Sequence, residues 1–128
     1  MAEILVVEDN SAVRMAYRLL LKNVGHSVTE AADGIEALNL LKKRGTVDLC
    51  VVDIYMPRMD GHQFVKAARA DKAFAGLQIL MATTETEMDH VAKALAAGAD
   101  EYLMKPFSKE MLRDKLVLMK VLEPPLAT

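Results

Sequence analysis

Short runs of consecutive apolar residues alternate along the chain with longer segments in which apolar residues recur at helical spacing. A strand buried on both faces is apolar throughout, whereas a surface helix buries only one stripe. The runs therefore predict strands and the segments predict helices. The clearest runs are 4–7, 49–52 and 77–82. Acidic residues follow the first two runs and threonines follow the third, so the pattern predicts three buried strands that end at polar side chains.

Two weaker patterns predict the remaining strands. Residues 26–31 alternate between polar and apolar, as expected for a strand at a sheet edge, and 101–104 form a short strand before Lys105. Five helices are predicted between and after the strands, bounded by residues that favour helix ends. The predicted limits are Asn10 or Ser11 and Gly25 for the first helix, Asp33-Gly34 and Gly45 for the second, Asp60-Gly61 for the start of the third, Met88 and Gly98 for the fourth, and Ser108 and Glu123 for the fifth.

Strand and helix alternate five times, and such alternation specifies a parallel sheet with helices on both faces. We therefore predict an α/β fold, a doubly wound five-stranded parallel sheet with five helices. In such a sheet the ligand site lies beyond the carboxyl ends of the strands. The residues at those ends are therefore the candidates for a functional role.

Composition and charge exclude several classes of protein. A chain of 128 residues predicts one domain. With 16 basic and 18 acidic residues it lacks the positive excess of a protein that neutralises phosphates, so direct nucleic-acid binding is not expected. The lone Cys50 excludes an intramolecular disulfide, and no apolar run reaches the ~18 residues of a membrane span. The first residues lack a secretory signal, so we expect a cytoplasmic protein without membrane insertion.

Five chemically distinctive residues stand at the predicted strand ends. Glu8 and Asp9 follow the first strand, Asp53 the third, Thr83 the fourth and Lys105 the fifth. Helix capping would explain any one polar residue at such a junction, but not carboxylates after two strands and a lysine after another. Converging carboxylates raise one another's pKa and need a counter-ion. Because all the ligand atoms are oxygens, the cluster predicts a hard cation, Mg²⁺.

These residues resemble the receiver domains of two-component response regulators over residues 3 to about 120. The likeness is strongest to the stand-alone, chemotaxis-type receivers. The matching segments are the acidic pair Glu8-Asp9, the Asp-x-x-Met-Pro-x-Met-Asp-Gly pattern from Asp53 to Gly61, Thr83, the strand-five aromatic Tyr102, and Lys105-Pro106-Phe107. The intervals between Asp53, Thr83 and Lys105 also agree with those of this family.

The resemblance implies a role for each matching residue. Asp53 would be the phosphoacceptor, with Thr83 and Lys105 completing the catalytic set by holding phosphoryl oxygens. The metal ligands would be Asp9 and Asp53 directly, the backbone carbonyl of Tyr55, and Glu8 through a bound water; the metal would be Mg²⁺. The switch would pair Thr83 with Tyr102. The family also implies a cis peptide before Pro106 and places Thr84 and Glu85 beside the site.

The same resemblance implies a flavodoxin-like sheet with strand order 2-1-3-4-5, a receiver domain over 1–122 and a C-terminal tail over 123–128. The expected function is that of a single-domain response regulator. It would take a phosphoryl group on Asp53 from a sensor histidine kinase or a histidine phosphotransfer protein. It would signal to a downstream protein target through helix 4, strand 5 and helix 5. Beyond self-phosphorylation and autodephosphorylation, no enzyme activity is expected. The alternative is a receiver excised from a longer regulator with a separate output domain.

Two other protein classes fit the sequence less well. A flavodoxin of the same topology would carry a phosphate-binding loop after the first strand, where Glu8 and Asp9 would repel the phosphate. A haloacid-dehalogenase phosphatase also forms an aspartyl phosphate, but it needs a general acid two residues after the nucleophile, where this chain has Tyr55. The strand-end chemistry therefore favours the receiver.

The remaining reactive side chains are assigned structural roles. Cys50 lies inside the third predicted strand and is expected in the core. The three histidines lack metal-ligand spacing, so surface or capping roles are expected for His26 and the other two. Met111 and Met119 lie near the expected output face, where flexible side chains suit an adaptable partner surface.

Overall fold

Five parallel strands form the single sheet of this computed structural model, which describes residues 2–23, 26–84 and 88–121. The strand order is β2-β1-β3-β4-β5, and every neighbouring pair is parallel. The predicted sheet and the implied order are confirmed. The strands are β1 Glu3–Val7, β2 Ser27–Ala31, β3 Leu49–Asp53, β4 Gln78–Thr83 and β5 Glu101–Met104.

The helices follow the strands as predicted. They are α1 Ser11–Asn23, α2 Gly34–Arg44, α3 Gly61–Arg69, α4 Met88–Ala97 and α5 Lys109–Leu118, with an additional 3₁₀ turn at Lys72–Phe74. The Asn10 side chain accepts hydrogen bonds from the Ala12 and Val13 amides, which identifies Asn10 as the cap of α1. The Asp60 and Gln63 side chains form a capping box at α3.

The predicted ends of α1 and α5 are not confirmed by the structure. The expected stop of α1 at Gly25 and the residues 123–128 lie outside the described residues. Helix α5 ends at Leu118, earlier than the predicted stop at Glu123, because Lys120 adopts a left-handed φ of 62°. The Met119 amide there closes the last turn on the Lys115 carbonyl.

Successive strand residues face opposite helix layers, because side chains alternate across a sheet. Val6 and Val51 belong to the core under α1 and α5, whereas Val7 and Val52 belong to the core under α2, α3 and α4. Both faces of the central strands are therefore covered, as their uninterrupted apolar runs predicted. Cys50 is fully buried, as expected.

Two side chains differ from their predicted roles. His26 is buried rather than exposed, and its Nδ1 accepts a hydrogen bond from the Ala2 amide at 3.2 Å. Met119 is also buried and packs against the core under α1 and α5, so of the two methionines only Met111 is exposed. Within the described ranges, every helix is too short or too polar to cross a bilayer.

Candidate functional site

The strand register brings the predicted residues to one edge of the sheet. Val7 pairs with Val52, and Asp53 pairs with Ala82, so β1, β3 and β4 end at nearly the same level. Glu8 follows β1 at that level, and Thr83 and Lys105 end β4 and follow β5. All five predicted strand-end residues therefore lie at the carboxyl edge.

Three carboxylates converge at this edge. Glu8, Asp9 and Asp53 each offer an oxygen, and these oxygens all lie within 4.8 Å of one another. Glu8 is only 3% exposed, Asp53 is partly buried and Asp9 is exposed. Such a set of oxygen donors, partly withdrawn from water, fits the ligand preference of Mg²⁺. The predicted carboxylate cluster is thus present in the fold.

Lys105 joins two of the three carboxylates. Its Nζ lies 2.5 Å from Asp53 Oδ1 and 3.3 Å from Glu8 Oε1. Burial acts to lower the pKa of Lys105, but the hydrogen bond and charge of Asp53 and the charge of Glu8 outweigh burial and raise it. Lys105 is therefore an ammonium ion held at the proposed phosphoacceptor. The peptide between Lys105 and Pro106 is cis, as the resemblance implied.

Glu8 is the carboxyl group whose ionisation the fold opposes most clearly. Burial, the Asp9 side chain and the charge of Asp53 raise the pKa of Glu8 to about 7, against the charge of Lys105 and the Asn10 amide, which lower it. The cluster therefore carries unfavourable charge in the metal-free protein. A cation bound among these carboxylates would remove that repulsion.

Replacing Asp9 with alanine is expected to raise the free energy of unfolding of the metal-free protein by about 1 kcal/mol. Lys105 forms ion pairs with Glu8 and Asp53. The Asp9 carboxylate therefore adds a third negative charge to a cluster in which a single lysine balances the other two. Active sites often retain such a cost in stability. Urea unfolding in EDTA measures the change, with Asp114→Ala on the exposed face of α5 as a control. A clear loss of stability in Asp9→Ala would contradict the expected repulsion.

The two residues assigned to the switch lie on neighbouring strands, Thr83 at the end of β4 and Tyr102 within β5. Thr83 is fully buried, and its hydroxyl donates a hydrogen bond to the Thr84 carbonyl at 3.2 Å. Tyr102 is half-buried and packs against the core under α2, α3 and α4. The Lys115 ammonium of α5 lies 5.2 Å from the centre of the Tyr102 ring. Tyr102 thus connects the sheet to α5. Glu85, which the resemblance also places beside the site, lies outside the described residues.

Two features beside the site concern the loop after β3. The exposed Tyr55 ring packs against the His90 ring of α4 in a T-shaped arrangement, with 5.3 Å between the ring centres. Arg58, at a left-handed φ of 64°, donates from Nε and a terminal nitrogen to the buried Asp33 carboxylate at 2.9 and 2.6 Å. These contacts tie the loop to α4 and to the start of α2.

Sequence reasoning missed one side chain at the site. Arg14 of α1 donates hydrogen bonds to the backbone carbonyls of Glu8 and Asp9, the first two residues after β1. An arginine in the first turns of a surface helix is an ordinary solvated residue by its sequence context. Its proximity to the acidic pair was the one available signal.

Comparisons with known proteins agree with this geometry. Residues 4–117 match the family model of the response regulator receiver domain. A chemotaxis protein CheY homolog of Campylobacter jejuni is 40% identical over 115 residues, which cover 89% of this chain and 88% of the relative. The structure of chemotaxis protein CheY4 from Vibrio cholerae is 38% identical, with a TM-score of 0.86, and the match covers 93% of this chain and 98% of that one.

A third relative has metal at its site. The receiver domain of a sensor histidine kinase from Pseudomonas aeruginosa PAO1 has a magnesium ion coordinated in its active-site cleft. It is 30% identical, with a TM-score of 0.84, and the match covers 92% of this chain and 96% of that one. Receivers are signalling proteins rather than enzymes in the ordinary sense. The chain belongs to the response regulator receiver domain family and is a receiver of the CheY type, whose general function in two-component signalling is to accept a phosphoryl group.

Proposed function

We propose that this receiver accepts a phosphoryl group on Asp53, in a Mg²⁺-dependent reaction, from a sensor histidine kinase or a histidine phosphotransfer protein. The observation that carries the proposal is the Lys105 Nζ at 2.5 Å from an Asp53 oxygen, beside three converging carboxylates. The carboxylates of Glu8 and Asp9 would repel the negative charge of a phosphoryl group unless a cation neutralised them. A cation and a lysine together make the site suitable for phosphoryl transfer.

We also propose a single-domain regulator, with the receiver over 1–122 and the tail over 123–128. The Campylobacter relative and this chain cover nearly all of each other, which supports this form.

The proposed chemistry uses Asp53 as the nucleophile. A carboxylate oxygen forms a bond to phosphorus as the bond from phosphorus to the donor breaks, and the electron pair leaves with the donor. The leaving group is the imidazole nitrogen of a phosphohistidine or the carboxylate of an acyl phosphate. Lys105 and Thr83 would then hold oxygens of the transferred group. The Lys105 ammonium already lies against Asp53, where this charge would appear.

The proposed metal ligands are Asp9 and Asp53 directly, the Tyr55 backbone carbonyl, and Glu8 through a water. The convergence of the three carboxylates supports this assignment, as does the magnesium in the cleft of the Pseudomonas receiver. When bound, Mg²⁺ neutralises charge that develops on the phosphoryl oxygens. Metal binding also favours the ionised form of Glu8, whose pKa is otherwise raised.

The test is intact-mass spectrometry after incubation with acetyl phosphate. With Mg²⁺ the protein is expected to gain one phosphoryl group, and with EDTA it is expected to gain none. Asp53→Asn should stay unmodified because an amide oxygen is a poor nucleophile, whereas the matched control Asp114→Asn should be modified like wild type. Full modification of Asp53→Asn would move the phosphoacceptor elsewhere and overturn the proposal.

We further propose that phosphorylation is transmitted to a downstream protein through α4, β5 and α5. In this scheme Thr83 moves toward the phosphoryl group and the Tyr102 ring enters the vacated space. The position of Tyr102 between the sheet core and Lys115 of α5 supports the assignment. A partner that prefers the phosphorylated form would stabilise that form to the same extent, since the coupling is reciprocal.

Replacing Tyr102 with alanine is expected to uncouple the site from this surface. Beryllofluoride with Mg²⁺ mimics the phosphorylated state, because BeF₃⁻ takes the place of the phosphoryl group. In wild type the amide chemical shifts of 94–119 should change on its addition, while in Tyr102→Ala most of these changes should be lost and those at 53 and 83 retained. Tyr102→Phe separates the ring from its hydroxyl. Identical changes in wild type and Tyr102→Ala would contradict the aromatic switch.

A further inference from the structure

The Arg14 guanidinium is attached to the backbone of the acidic loop. One terminal nitrogen lies 2.7 Å from the Glu8 carbonyl oxygen and 3.2 Å from the Asp9 carbonyl oxygen. The Arg14 side chain is 20% exposed, so most of it is withdrawn from water. Hydrogen bonds from a charged donor are about twice as strong as neutral ones. These contacts are therefore a substantial restraint on two consecutive peptide groups.

A second contact holds the guanidinium through its Nε. Arg14 Nε lies 3.4 Å from Glu30 Oε1, and Arg18 donates to Glu30 Oε2 at 2.8 Å. Glu30 lies on the edge strand β2, in register with Val6, whose side chain faces the α1 layer. The carboxylate therefore holds Arg14 against the loop from a rigid strand. Arg18 shares this carboxylate and serves as an internal comparison.

The restrained peptides decide where two carboxylates point. The two peptide planes that flank a Cα together set the direction of its bond to Cβ, because each plane is rigid. The Glu8 and Asp9 carbonyls lie in the planes that flank the Asp9 Cα, and the plane before Glu8 is held by the Glu8 amide, which donates to the Ala31 carbonyl at 3.0 Å. Glu8 and Asp9 must turn their side chains toward Asp53 although the three charges repel. In a loop without this restraint, repulsion would favour conformations that separate the carboxylates. An arginine suits the role because it remains charged at every accessible pH and has a planar fork of donors.

We propose, on the basis of the proposed function, that Arg14 is a positioning residue that holds Glu8 and Asp9 in the cation-binding arrangement before Mg²⁺ arrives. Arg14 acts through the backbone of the loop and not through contact with the metal or the phosphoryl group. The energetic reason is preorganisation, since ordering the loop in advance removes that cost from the binding step.

Mg²⁺ affinity measured by calorimetry tests the inference directly. Arg14→Gln is expected to weaken Mg²⁺ binding about tenfold, the lower end of the range for residues that orient metal ligands. Arg14→Lys keeps the charge but lacks the planar fork, so its affinity should lie between those of wild type and Arg14→Gln. The matched control Arg18→Gln removes a charge that binds Glu30 without touching the loop, and it should leave the affinity within about twofold of wild type.

A measurement without metal distinguishes positioning from a general loss of structure. In EDTA, amide hydrogen exchange at 8–10 should be faster in Arg14→Gln, whereas exchange at 50–52 in the centre of β3 should be unchanged. Unchanged affinity and unchanged exchange in a folded Arg14→Gln protein would overturn the inference. Equal weakening in Arg18→Gln would also overturn it, because the effect would then be one of net charge.

Two further experiments keep the inference testable if Arg14→Gln does not fold or if the protein is not phosphorylated. If Arg14→Gln does not fold, Glu30→Gln replaces it as the test, because this variant keeps Arg14 but removes the carboxylate that anchors it. A loss of Mg²⁺ affinity smaller than tenfold would support the inference. An unchanged Mg²⁺ affinity would overturn it. With saturating Mg²⁺, phosphorylation by acetyl phosphate should recover in Arg14→Gln, while the Mg²⁺ concentration for half-maximal rate rises in parallel with Kd. If wild type itself is not phosphorylated on Asp53, the proposed function fails, yet the exchange comparison still tests Arg14.

Discussion

Replacing Gly61 with alanine is expected to lower the free energy of unfolding by about 3 kcal/mol, at the upper end of the usual cost of overpacking. Gly61 is the first residue of α3, and its amide donates to the Ile54 carbonyl at 2.8 Å. A Cβ at this position would lie 2.5 Å from the Asp53 carbonyl oxygen, 2.7 Å from Met81 Cε and 3.0 Å from Ile54 Cα. Met81 can move, but the two backbone atoms can move only with the end of β3.

The clash at Gly61 has a functional consequence because it falls on the peptide of Asp53. Displacing that peptide would displace the proposed phosphoacceptor from Lys105, so phosphorylation should slow as stability falls. The gain in helix propensity from glycine to alanine, roughly 1 kcal/mol, is smaller than the clash.

Gly76 offers the matched control for the same substitution. A Cβ there would meet no other atom within 4 Å in the described part of the chain. Gly76→Ala should therefore change the free energy of unfolding by no more than about 0.5 kcal/mol, as for other open surface sites. Urea unfolding of both variants in EDTA makes the comparison. Equal stabilities would show that α3 packs less closely on β3 than the structure indicates.

Replacing Lys105 with methionine is expected to lower the free energy of unfolding by about 2 kcal/mol at pH 8.5. Removing one partner of a buried ion pair costs roughly 3–5 kcal/mol because a charge is left uncompensated, and the exposed quarter of Lys105 reduces that cost. The loss of stability arises at Asp53 and Glu8, because both carboxylates contact Lys105 Nζ and would lose that partner. The variant should also fail to hold a phosphoryl group in the active arrangement.

The cost of losing Lys105 should be smaller at pH 5.5, and Glu8 is the reason. The pKa of Glu8 is about 7 in the fold and 4.5 ordinarily, so its protonated form is favoured by folding. Stability from this preference is complete below pH 4.5 and is lost as the pH rises through 7. At pH 5.5 Glu8 is mostly protonated with or without Lys105, so only the contact with Asp53 is lost. The raised pKa of Lys105 keeps it protonated throughout this range.

Urea unfolding of Lys105→Met at both pH values, in EDTA, measures this difference. Lys42→Met, on the exposed face of α2, is the control and should change stability by no more than about 0.5 kcal/mol at either pH. An equal loss at the two pH values in Lys105→Met would show that Glu8 does not respond to the lysine. The double variant Lys105→Met with Asp9→Asn should recover part of the stability at pH 8.5, because one repelling charge is gone.

Secondary structure and caps could be predicted because they depend on neighbours in the chain. The uninterrupted apolar run at 49–52 favours a strand that is covered on both faces, and in the structure it forms most of β3. Asp60 three residues before Gln63 marks the start of α3 by a local hydrogen-bond pattern. At these positions the secondary structure in the fold is the one that the local sequence favours, so tertiary contacts did not alter it.

Burial of single polar residues could not be predicted in the same way. His26 immediately precedes the edge strand β2, and its sequence context is that of a surface residue, yet the fold covers it and pairs it with the Ala2 amide. Glu8 and Asp9 are adjacent and chemically alike, but one is buried and the other exposed. The difference arises from the direction of each side chain at the end of β1, which the surrounding elements set.

Local sequence patterns were enough to predict the alternation of strands and helices, the parallel sheet, and the carboxylates, threonine and lysine at strand ends. Two contacts could be seen only in the assembled fold: Lys105 reaches both Asp53 and Glu8, 52 and 97 residues away in the chain, and Arg14 holds the carbonyls of the acidic loop. The physical reason is that periodicity and capping act within a few residues, whereas these contacts depend on side-chain directions and on distances across the assembled sheet edge.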